Sequence, residues 1–408
     1  MTNDRRSITE STHEGGECHV ERACDAVEGV EIRRMQRALE ARQRHAVEAG
    51  LFRQRLLREA ARLAEGDDPS SHALSGGGHD GVYYRVTMKI IALGSVLLAL
   101  LAGPALAADV VRMGDLPTLS SAGLYIAMDK GVFQAKGITV EVEPFASGAK
   151  MIAPLATGQL DVATGSPSAG LYNSIASGMD FKIVADKGQV RPGFSFIPLI
   201  VRKDHVDGGR VKSLKDLKGL KVASGAKGIN LDYVLAKMLE QGGLGFDAVE
   251  VVYMGYPDGV KALASKAVDA LIAPEPWGAR AEEQKVGTRL FTTEQVPAVV
   301  NFQIAVVMYS GKFIKERPKV ARDFLHAYVE GVKLYNQRGP KDAEVIAIIA
   351  KHTKVPPDTV RASAPAYLDP GARPRVPDLA AFQDWFHTMG WVKEKVPIDR
   401  VVDLTFLQ

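Results

Sequence analysis

The sequence predicts an α/β protein built from two similar halves, and two patterns support this. From Asp109 onward, short apolar runs alternate with segments of helical periodicity, as expected for strands covered by helices. The stretches "MIAPLATGQLDVATGSPSAG" and "GVKALASKAVDALIAPEPWG" share one layout, in which a short helix leads into a strand that starts at an aspartate, Asp161 or Asp269. Two similar halves are therefore expected, with chance similarity of helix–strand units as the alternative.

The elements of the first half begin with the strand "DVVRMGD" and the helix "LSSAGLYIAMDKGVF", for which Ser120 or Ser121 is the predicted N-cap and Gly131 the stop. The period-two run "GITVEVEPF" predicts the next strand. A short helix "GAKMIAPLATGQ", the strand "LDVATG" and the helix "PSAGLYNSIASG" follow. The runs "FKIVADKGQ" and "FSFIPLIVRKD" predict two further strands.

The second half repeats this alternation in "LKVASGAKGINLDYVLAKMLEQGG", "AVEVVYMG", "YPDGVKALASKA", "VDALIAPEPW" and "GARAEEQKVG". The last third is more helical, and predicts helices in "ERPKVARDFLHAYVEGVKLYNQR", "KDAEVIAIIAKHT" and "LAAFQDWFHTMG". Pro318 suits the first position of the first of these, and Gly390 terminates the last.

The overall composition argues against some functions. The 408 residues carry 51 Lys and Arg against 48 Asp and Glu, a formal net charge of +3, so the chain lacks the basic excess of a dedicated nucleic-acid binder. Its two cysteines, Cys18 and Cys24, both lie upstream of Asp109. Disulfides and thiolate metal sites are therefore excluded from the α/β region.

The stretch "MKIIALGSVLLALLAGPALAAD" has the form of an export signal at residues 88–107. Met88 and Lys89 make a short positive segment, an apolar run follows, and Ala105-Leu106-Ala107 fits a cleavage site. The alternative is a transmembrane helix, but the strongly apolar run is shorter than the ~20 residues that a bilayer requires. We expect cleavage to release a soluble periplasmic protein.

Residues 1–87 differ from the rest, because their basic residues are all arginine and the first lysine is Lys89. Part of this segment is predicted to form an Arg-rich helix, and the rest of it is predicted to be largely disordered. A cytoplasmic domain ahead of a cleavable signal makes little topological sense. We therefore expect translation to start at Met88 and the upstream part to be a gene-model extension. The alternative is an upstream domain tethered by a membrane span.

Six loops are expected at the carboxyl ends of the predicted strands, where open α/β sheets bind ligands. Most are built from small and polar residues and open a helix, so their backbone N–H groups can bind an anion. They are "LPTLSS" (116–121), "ASGAK" (146–150), "GSPSAG" (165–170), "SGAKGIN" (224–230), "GYPDG" (255–259) and "PEPWG" (274–278).

Three residues in these loops carry more specific groups. Glu275 offers a carboxylate for a ligand amine, and Trp277 an aromatic wall within the same turn. Lys227 lies beside a helix start and could meet an anion. The alternatives are that Glu275 caps its own helix, Trp277 fills the core and Lys227 is an ordinary exposed lysine.

Catalytic motifs find little support. The histidines are scattered without ligand spacing, no phosphate-binding P-loop is present, and "TGSPSAG" lacks the glycine spacing of a nucleophile elbow around Ser166 or Ser168. The sequence predicts neither an enzyme nor a cofactor or metal site.

From about Val110 to Phe406 the chain resembles the substrate-binding proteins of ABC importers for nitrate, sulfonates, taurine and thiamine-precursor pyrimidines. The stretches that carry the resemblance are "LSSAGLYIAMDKGVFQAKGITVEVEPFASGAKMIAPLATGQLDVATGSPSAG", "SLKDLKGLKVASGAKG", "VDALIAPEPW", "MYSGKF", "ERPKVARDFLHAYVEG" and "WFHTMGWVKEKVPIDRVVD". No one of these motifs is decisive, but their order over some three hundred residues is specific.

The resemblance implies a type II periplasmic-binding-protein fold, with two α/β lobes joined by two crossing strands near 194–202 and 299–308. The first lobe would comprise 109–197 and 305–408, and the second 198–304. Carried over position by position, the expected ligand contacts are Ser120, Ser121, Ser166, Ser168, Lys227, Gly228, Asn230, Glu275, Trp277 and Asn301.

The resemblance also implies a function: capture of a small anionic or zwitterionic solute by lobe closure, and delivery to a membrane permease whose ATPase is a separate cytoplasmic subunit. A monomer is expected. The alternatives are a binding protein for an aminopyrimidine or an aromatic acid, and a periplasmic ligand sensor. An enzyme of the pyrimidine-synthase type, which uses a Cys-rich motif, fits a cysteine-free region poorly.

Overall fold

The computed structural model describes residues 108–408. The predicted export signal (88–107) and the Arg-rich segment (1–87) lie outside the described residues. Within 108–408, no helix combines the length and the apolar character that crossing a membrane requires.

Five strands form the first sheet: β1 (Asp109–Asp115), β2 (Ile138–Pro144), β3 (Val162–Gly165), β4 (Phe181–Val190) and β10 (Phe302–Ser310). Their spatial order is β2-β1-β3-β10-β4, with β1 parallel to β2 and β3, and with β10 antiparallel to β3 and β4. The carboxyl ends of β1, β3 and β4 therefore lie at one edge of this sheet.

Five strands form the second sheet: β5 (Leu199–Arg202), β6 (Lys221–Ser224), β7 (Glu250–Tyr253), β8 (Ala270–Ile272) and β9 (Gly287–Phe291). The order β7-β6-β8-β5-β9 repeats the first sheet, with β5 antiparallel to β8 and β9. We call the part built on the first sheet the first lobe, and the part built on the second sheet the second lobe. The chain crosses between them at 191–198 and 292–301.

Helices cover both sheets. In the first lobe they are α1 (Ala122–Asp129), α2 (Val132–Ala135), α3 (Ile152–Ala156), α4 (Ala169–Ala176), α9 (Gly311–Glu316), α10 (Pro318–Arg338), α11 (Ala343–Thr353), α12 (Pro357–Ala362), α13 (Val376–Thr388) and α14 (Ile398–Val401). In the second lobe they are α5 (Lys203–Asp207), α6 (Asn230–Gln241), α7 (Tyr256–Ala264) and α8 (Trp277–Glu283).

The two aspartates of the repeated sequence layout perform the same structural task. Asp161 precedes β3 and accepts a hydrogen bond from the backbone N–H of Arg112 in the neighbouring strand at 2.9 Å. Asp269 precedes β8 and accepts one from the backbone N–H of Lys221 at 3.0 Å. Each carboxylate thus joins the start of one parallel strand to the next, which explains why the two halves share an aspartate there.

The predicted α/β fold with two lobes is confirmed, and most elements lie where the sequence pattern places them. Pro318 opens α10 as expected. The run "FSFIPLIVRKD" is different, because only Leu199–Arg202 forms a strand and Lys203–Asp207 continues as a helix. Residues before Pro198 belong to the crossing, and a proline cannot donate a ladder hydrogen bond at that point. Four elements of the structure were not predicted from the sequence: β9, α9, α12 and α14.

Helices α1 and α10 approach each other through glycines. A Cβ atom added to Gly331 would lie 2.1 Å from the backbone oxygen of Gly123 and 2.8 Å from the Cβ of Ala127. Replacing glycine by alanine inside a helix ordinarily stabilises a protein by about 1 kcal/mol. At Gly331 an alanine should destabilise the protein instead, because the added Cβ would force α10 away from the backbone of α1.

We therefore expect Gly331→Ala to lower the free energy of unfolding by about 1–3 kcal/mol, measured by urea denaturation. Gly170→Ala is the matched control: Gly170 is exposed in helix α4, and the nearest atom to an added Cβ is the Ser168 hydroxyl at 3.7 Å. The control should be neutral or stabilising. If both variants are stabilised to the same extent, α1 and α10 do not pack as closely at Gly331 as the structure indicates.

Candidate functional site

A small cavity lies where the carboxyl ends of the strands of the two lobes face each other. Its volume is about 10 Å³, which is room for roughly one water molecule. Its polar lining comes from four hydroxyl-bearing residues and one lysine, and its other walls are mainly apolar. The lining residues are Leu116, Thr118, Ser120, Gly165, Ser166, Lys187, Phe196, Leu231, Tyr256, Pro274, Ile304 and Ala305.

The lining follows the strand ends closely. Leu116 comes directly after β1, Ser166 directly after β3, and Pro274 two residues after β8. Four of the six predicted loops contribute residues. The other two support them: Gly148 packs on the backbone of Ser166, where an added Cβ would meet the Ser166 nitrogen at 2.7 Å, and 224–230 contacts the first lobe. The six loops therefore meet, as the sequence predicts for a site between two α/β halves.

Lys187 is the charged residue in this lining, and it forms a buried ion pair. Its ammonium lies 3.1 Å from the carboxylate of Asp115, and both side chains are 1% exposed. The hydroxyl groups of Tyr125, Thr164 and Ser121 donate to the same carboxylate at 2.6, 2.5 and 2.9 Å. Asp115 is thus surrounded by donors on the side away from the cavity.

Burial and these partners have opposite effects on the two charged groups. Burial tends to raise the pKa of Asp115, but Lys187 and the three hydroxyl donors together hold that pKa below its usual value. Burial lowers the pKa of Lys187, and the charge of Asp115 opposes that fall. The distance of 3.1 Å between ammonium and carboxylate is that of an ion pair.

The lysine retains capacity for a ligand. An ammonium group has three N–H donors. One is directed to Asp115 at 3.1 Å, and a second makes a long contact of 3.4 Å to the backbone oxygen of Leu116. The third has no hydrogen-bond partner among residues 108–408, and Lys187 lines the same cavity as Ser120 and Ser166.

Backbone hydrogen bonds close the two lobes against each other at this site. The N–H of Ala169 donates to the oxygen of Gly228 at 2.7 Å, and the N–H of Asn230 donates to the oxygen of Pro167 at 3.3 Å. On the other side, the N–H of Leu119 donates to the oxygen of Glu275 at 3.3 Å. A ligand larger than water needs these contacts to separate before it can enter.

The predicted serines divide into two groups. Ser120 and Ser166 line the cavity, and the Ser120 hydroxyl lies 2.9 Å from that of Thr118. Ser121 does not line the cavity, and its hydroxyl donates a hydrogen bond to Asp115 instead. Ser168 caps helix α4 by accepting a hydrogen bond from the N–H of Leu171 at 3.2 Å, so its side chain has a structural partner.

The predicted residues of the second lobe lie at the contact between lobes. Lys227 is exposed and its ammonium lies 5.6 Å from the ring centre of Trp391. Gly228 makes the backbone contact to Ala169. Asn230 is buried and donates to the backbone oxygen of Ile304 at 2.6 Å, and its side-chain oxygen has no hydrogen-bond partner within residues 108–408.

The expected role of Glu275 needs correction. Its side chain is 0% exposed and does not appear in the cavity lining. Its carboxylate accepts hydrogen bonds from Arg289 at 2.6 Å and from the backbone N–H of Ala279 at 2.9 Å. Glu275 therefore caps its own helix, as in the alternative interpretation, and also forms an ion pair. Because both oxygens already have donors, the carboxylate is not available to a ligand amine.

The remaining two predicted contacts also lie outside the lining. Trp277 is half-buried and packs against the core, so the core-filling alternative describes it better than an aromatic wall. Asn301 is exposed in the second crossing segment, with its side-chain oxygen 3.4 Å from the guanidinium of Arg191.

The sequence analysis missed Lys187, the residue most important to the site. The run "FKIVADKGQ" was correctly interpreted as one strand, but ligand contacts were sought only in the loops after the strands, and Lys187 lies inside β4. A lysine near the middle of a strand could have drawn attention to it, since lysines are almost never fully buried without a partner. Asp115, at the end of β1, could have been proposed as that partner.

Within residues 108–408, no group of three His, Cys, Asp or Glu side chains is arranged to hold a metal ion. The cavity itself offers one lysine, four hydroxyl-bearing residues and an apolar wall. Two similar α/β lobes around such a cavity define a two-lobe α/β class of protein.

The comparisons with known proteins agree with this class. Residues 106–350 match the family model described as the NMT1-like family. This is more than half of the chain, and the protein therefore belongs to the NMT1-like family. A comparison with curated proteins found no match.

Solved structures share the fold at low sequence identity. The alkanesulfonate-binding protein SsuA from Xanthomonas axonopodis pv. citri, bound to MOPS, is 18% identical with a TM-score of 0.59, covering 72% of this chain and 98% of its own. The periplasmic nitrate-binding protein NrtA from Synechocystis PCC 6803 is 18% identical with a TM-score of 0.62, covering 73% and 87%. The desulfurization enzyme DSZB is also 18% identical, with a TM-score of 0.54, covering 73% and 97%.

A substitution at the contact between lobes should affect ligand affinity more than stability. Gly228 has φ +74°, and an added Cβ would lie 3.1 Å from the Cβ of Ala169 in the other lobe. We expect Gly228→Ala to weaken ligand binding by about tenfold, because a lost contact of roughly 1.4 kcal/mol in the closed arrangement corresponds to that factor. Calorimetric titration would measure it.

Gly243→Ala is the matched control. Gly243 has φ +73° and belongs to the same lobe, but nothing lies within 4 Å of an added Cβ. Both variants carry the same cost of a left-handed backbone conformation, so a difference in affinity reports on the lobe contact alone. Equal affinities would show that the contact of Gly228 with Ala169 does not support closure.

Proposed function

We propose that this protein is the solute-binding component of an ABC importer, and that it captures a small anionic or zwitterionic solute between its lobes. The observation that carries the proposal is the buried Lys187 ammonium in a cavity between two lobes. Burying a cation costs free energy because the ion loses its hydration. A negatively charged group of a ligand would offset that cost by accepting a charge-assisted hydrogen bond from the ammonium.

Support for the class of ligand comes from the cavity itself. The hydroxyls of Thr118, Ser120 and Ser166 add neutral donors around Lys187, and no carboxylate lines the cavity to hold a free amine. The names of the structural neighbours, which include sulfonate- and nitrate-binding proteins, point in the same direction. Sulfonates, taurine and nitrate are therefore the first solutes to test.

The proposed mechanism is a shift in the population of closed molecules. A ligand that touches both lobes favours the closed arrangement, because only that arrangement provides the complete set of contacts. We propose that the two lobes move about the crossing segments 191–198 and 292–301, so the boundaries predicted from the sequence, 109–197 with 305–408 and 198–304, shift to include all of β10 (Phe302–Ser310) in the first lobe. We also propose a monomer that is exported through the signal at 88–107. The closed form would then be recognised by a membrane permease with its cytoplasmic ATPase subunit.

The neighbours also include a desulfurization enzyme, so the fold alone does not decide between binding and catalysis. A thermal-shift screen with taurine, alkanesulfonates, nitrate, bicarbonate, aromatic acids and aminopyrimidines tests the proposal. A ligand at 100 times its dissociation constant should add about 2.7 kcal/mol of stability. Stabilisation by aminopyrimidines alone, or chemical conversion of a stabilising compound, would contradict it.

A further inference from the structure

The position of Asp115 is unusual for a site that binds an anion. The carboxylate lies 3.1 Å from the lysine ammonium that faces the cavity, and it is 1% exposed. An anion bound to Lys187 would therefore have a second negative charge behind the lysine, in a region shielded from water. The carboxylate thus has two opposing effects: it supports the charge of the buried Lys187, and it repels a bound anion.

We propose that Asp115 determines the charge of the solute that the cavity accepts, and that the Asp115–Lys187 pair selects monoanions and net-neutral zwitterions against dianions. This inference rests on the proposed function. The pair has no net charge, so the ligand brings the whole excess charge into the closed site. The repulsion from Asp115 doubles when the ligand carries two charges, and the cost of removing an ion from water rises with the square of its charge.

The surroundings of Asp115 keep this charge in place. Tyr125, Thr164 and Ser121 donate three hydrogen bonds to the carboxylate in addition to the contact with Lys187. Thr164 lies in β3, Tyr125 in α1 and Ser121 in the segment between β1 and α1. All three belong to the first lobe, so opening and closing of the lobes leaves these hydrogen bonds intact. The carboxylate is thus a fixed part of the site in both arrangements.

Methanesulfonate and sulfate are suitable probes, because they are similar tetrahedral anions with one and two charges. Calorimetric titration of the purified protein at pH 7.5 should show at least tenfold tighter binding of methanesulfonate. Asp115→Asn should improve the affinity for sulfate relative to methanesulfonate by at least tenfold. A purely structural role of Asp115 would weaken both anions alike, so the ratio of the two affinities is the decisive quantity.

Asp161→Asn is the matched control. Asp161 is also a mostly buried carboxylate of the first sheet, but it pairs with Arg112 and Arg317 at the opposite end of β3. Its substitution should leave the ratio of affinities unchanged. If Asp115→Asn does not fold, the preference of the unsubstituted protein for methanesulfonate still tests the inference.

The possible failures are distinguishable. Equal affinity of the unsubstituted protein for the two probes, or an unchanged ratio in Asp115→Asn, overturns the inference and leaves the proposed function standing if anions bind. If neither probe nor any other anion of the screen binds, the proposed function fails and the inference with it.

Discussion

Replacing Lys187 by methionine is expected to abolish anion binding and to destabilise the fold. The substitution removes the cation of the cavity and leaves Asp115 buried without its charged partner. We expect the affinity for anions to fall by about 100-fold or more, because a charge-assisted hydrogen bond and its Coulomb attraction are both lost. The free energy of unfolding should fall by about 3–5 kcal/mol, as for other broken buried pairs.

The double variant Lys187→Met with Asp115→Asn separates these two effects. It removes both charges, so the penalty of an unpaired buried carboxylate disappears and much of the stability should return. Anion binding should not return, because the cation is still missing. Urea denaturation gives the stability and calorimetry the affinity. Anion binding by Lys187→Met at the level of the unsubstituted protein would show that the solute binds elsewhere.

The second large effect concerns pH and Asp232 in helix α6. Burial raises the pKa of Asp232 to about 7. Its hydrogen-bond partners are neutral: the hydroxyl of Ser224 at 2.9 Å, the N–H of Gly228 at 2.8 Å and, at 3.5 Å, the hydroxyl of Tyr253. These groups only partly offset the cost of burying the charged form.

The sign of the effect follows from proton linkage. An unfolded aspartate loses its proton near pH 4, whereas the folded one keeps it to about pH 7. Between these values the folded state binds more protons, so rising pH reduces stability. Asp232→Asn removes this loss. Between pH 4 and pH 7.5 the variant should gain roughly 2–4 kcal/mol relative to the unsubstituted protein, measured by urea denaturation at both pH values.

Asp216→Asn is a control of opposite sign. Hydrogen bonds from the backbone of Lys212 and Ser213 and from the Ser213 hydroxyl lower the pKa of this half-buried carboxyl. Its contribution to stability is therefore present at neutral pH and lost as the solution becomes acidic. The Asp216 variant should lose stability relative to the unsubstituted protein as pH rises. The same pH response in both variants would contradict the buried setting of Asp232.

The fold could be predicted from local patterns, because hydrophobic periodicity and the repeated layout around Asp161 and Asp269 are determined by short stretches of sequence. The carboxyl ends of the strands predicted the loops that contain Ser120 and Ser166, since a site between α/β halves lies at those ends, and the family resemblance then singled out these two residues together with Ser121 and Ser168. These predictions concern positions that the local secondary structure determines, and they do not require the partners of long side chains to be known.

The side-chain partners could not be predicted in the same way. The pairing of Glu275 with Arg289 joins residues that lie 14 positions apart, and that of Lys187 with Asp115 joins two distant strands. Such pairings depend on the relative position of elements in three dimensions, and one sequence contains no direct record of it. The chemistry of Glu275 suggested an amine site only because its arginine partner was unknown.

The most direct test of the account is a crystal structure of the protein with the anion that binds most tightly in the thermal-shift screen. We expect that anion between the lobes, within about 3.2 Å of the Lys187 ammonium and in contact with the hydroxyls of Ser120 or Ser166. An anion bound instead at the exposed Lys227 or at Arg289, or one that touches a single lobe, would contradict the proposed site.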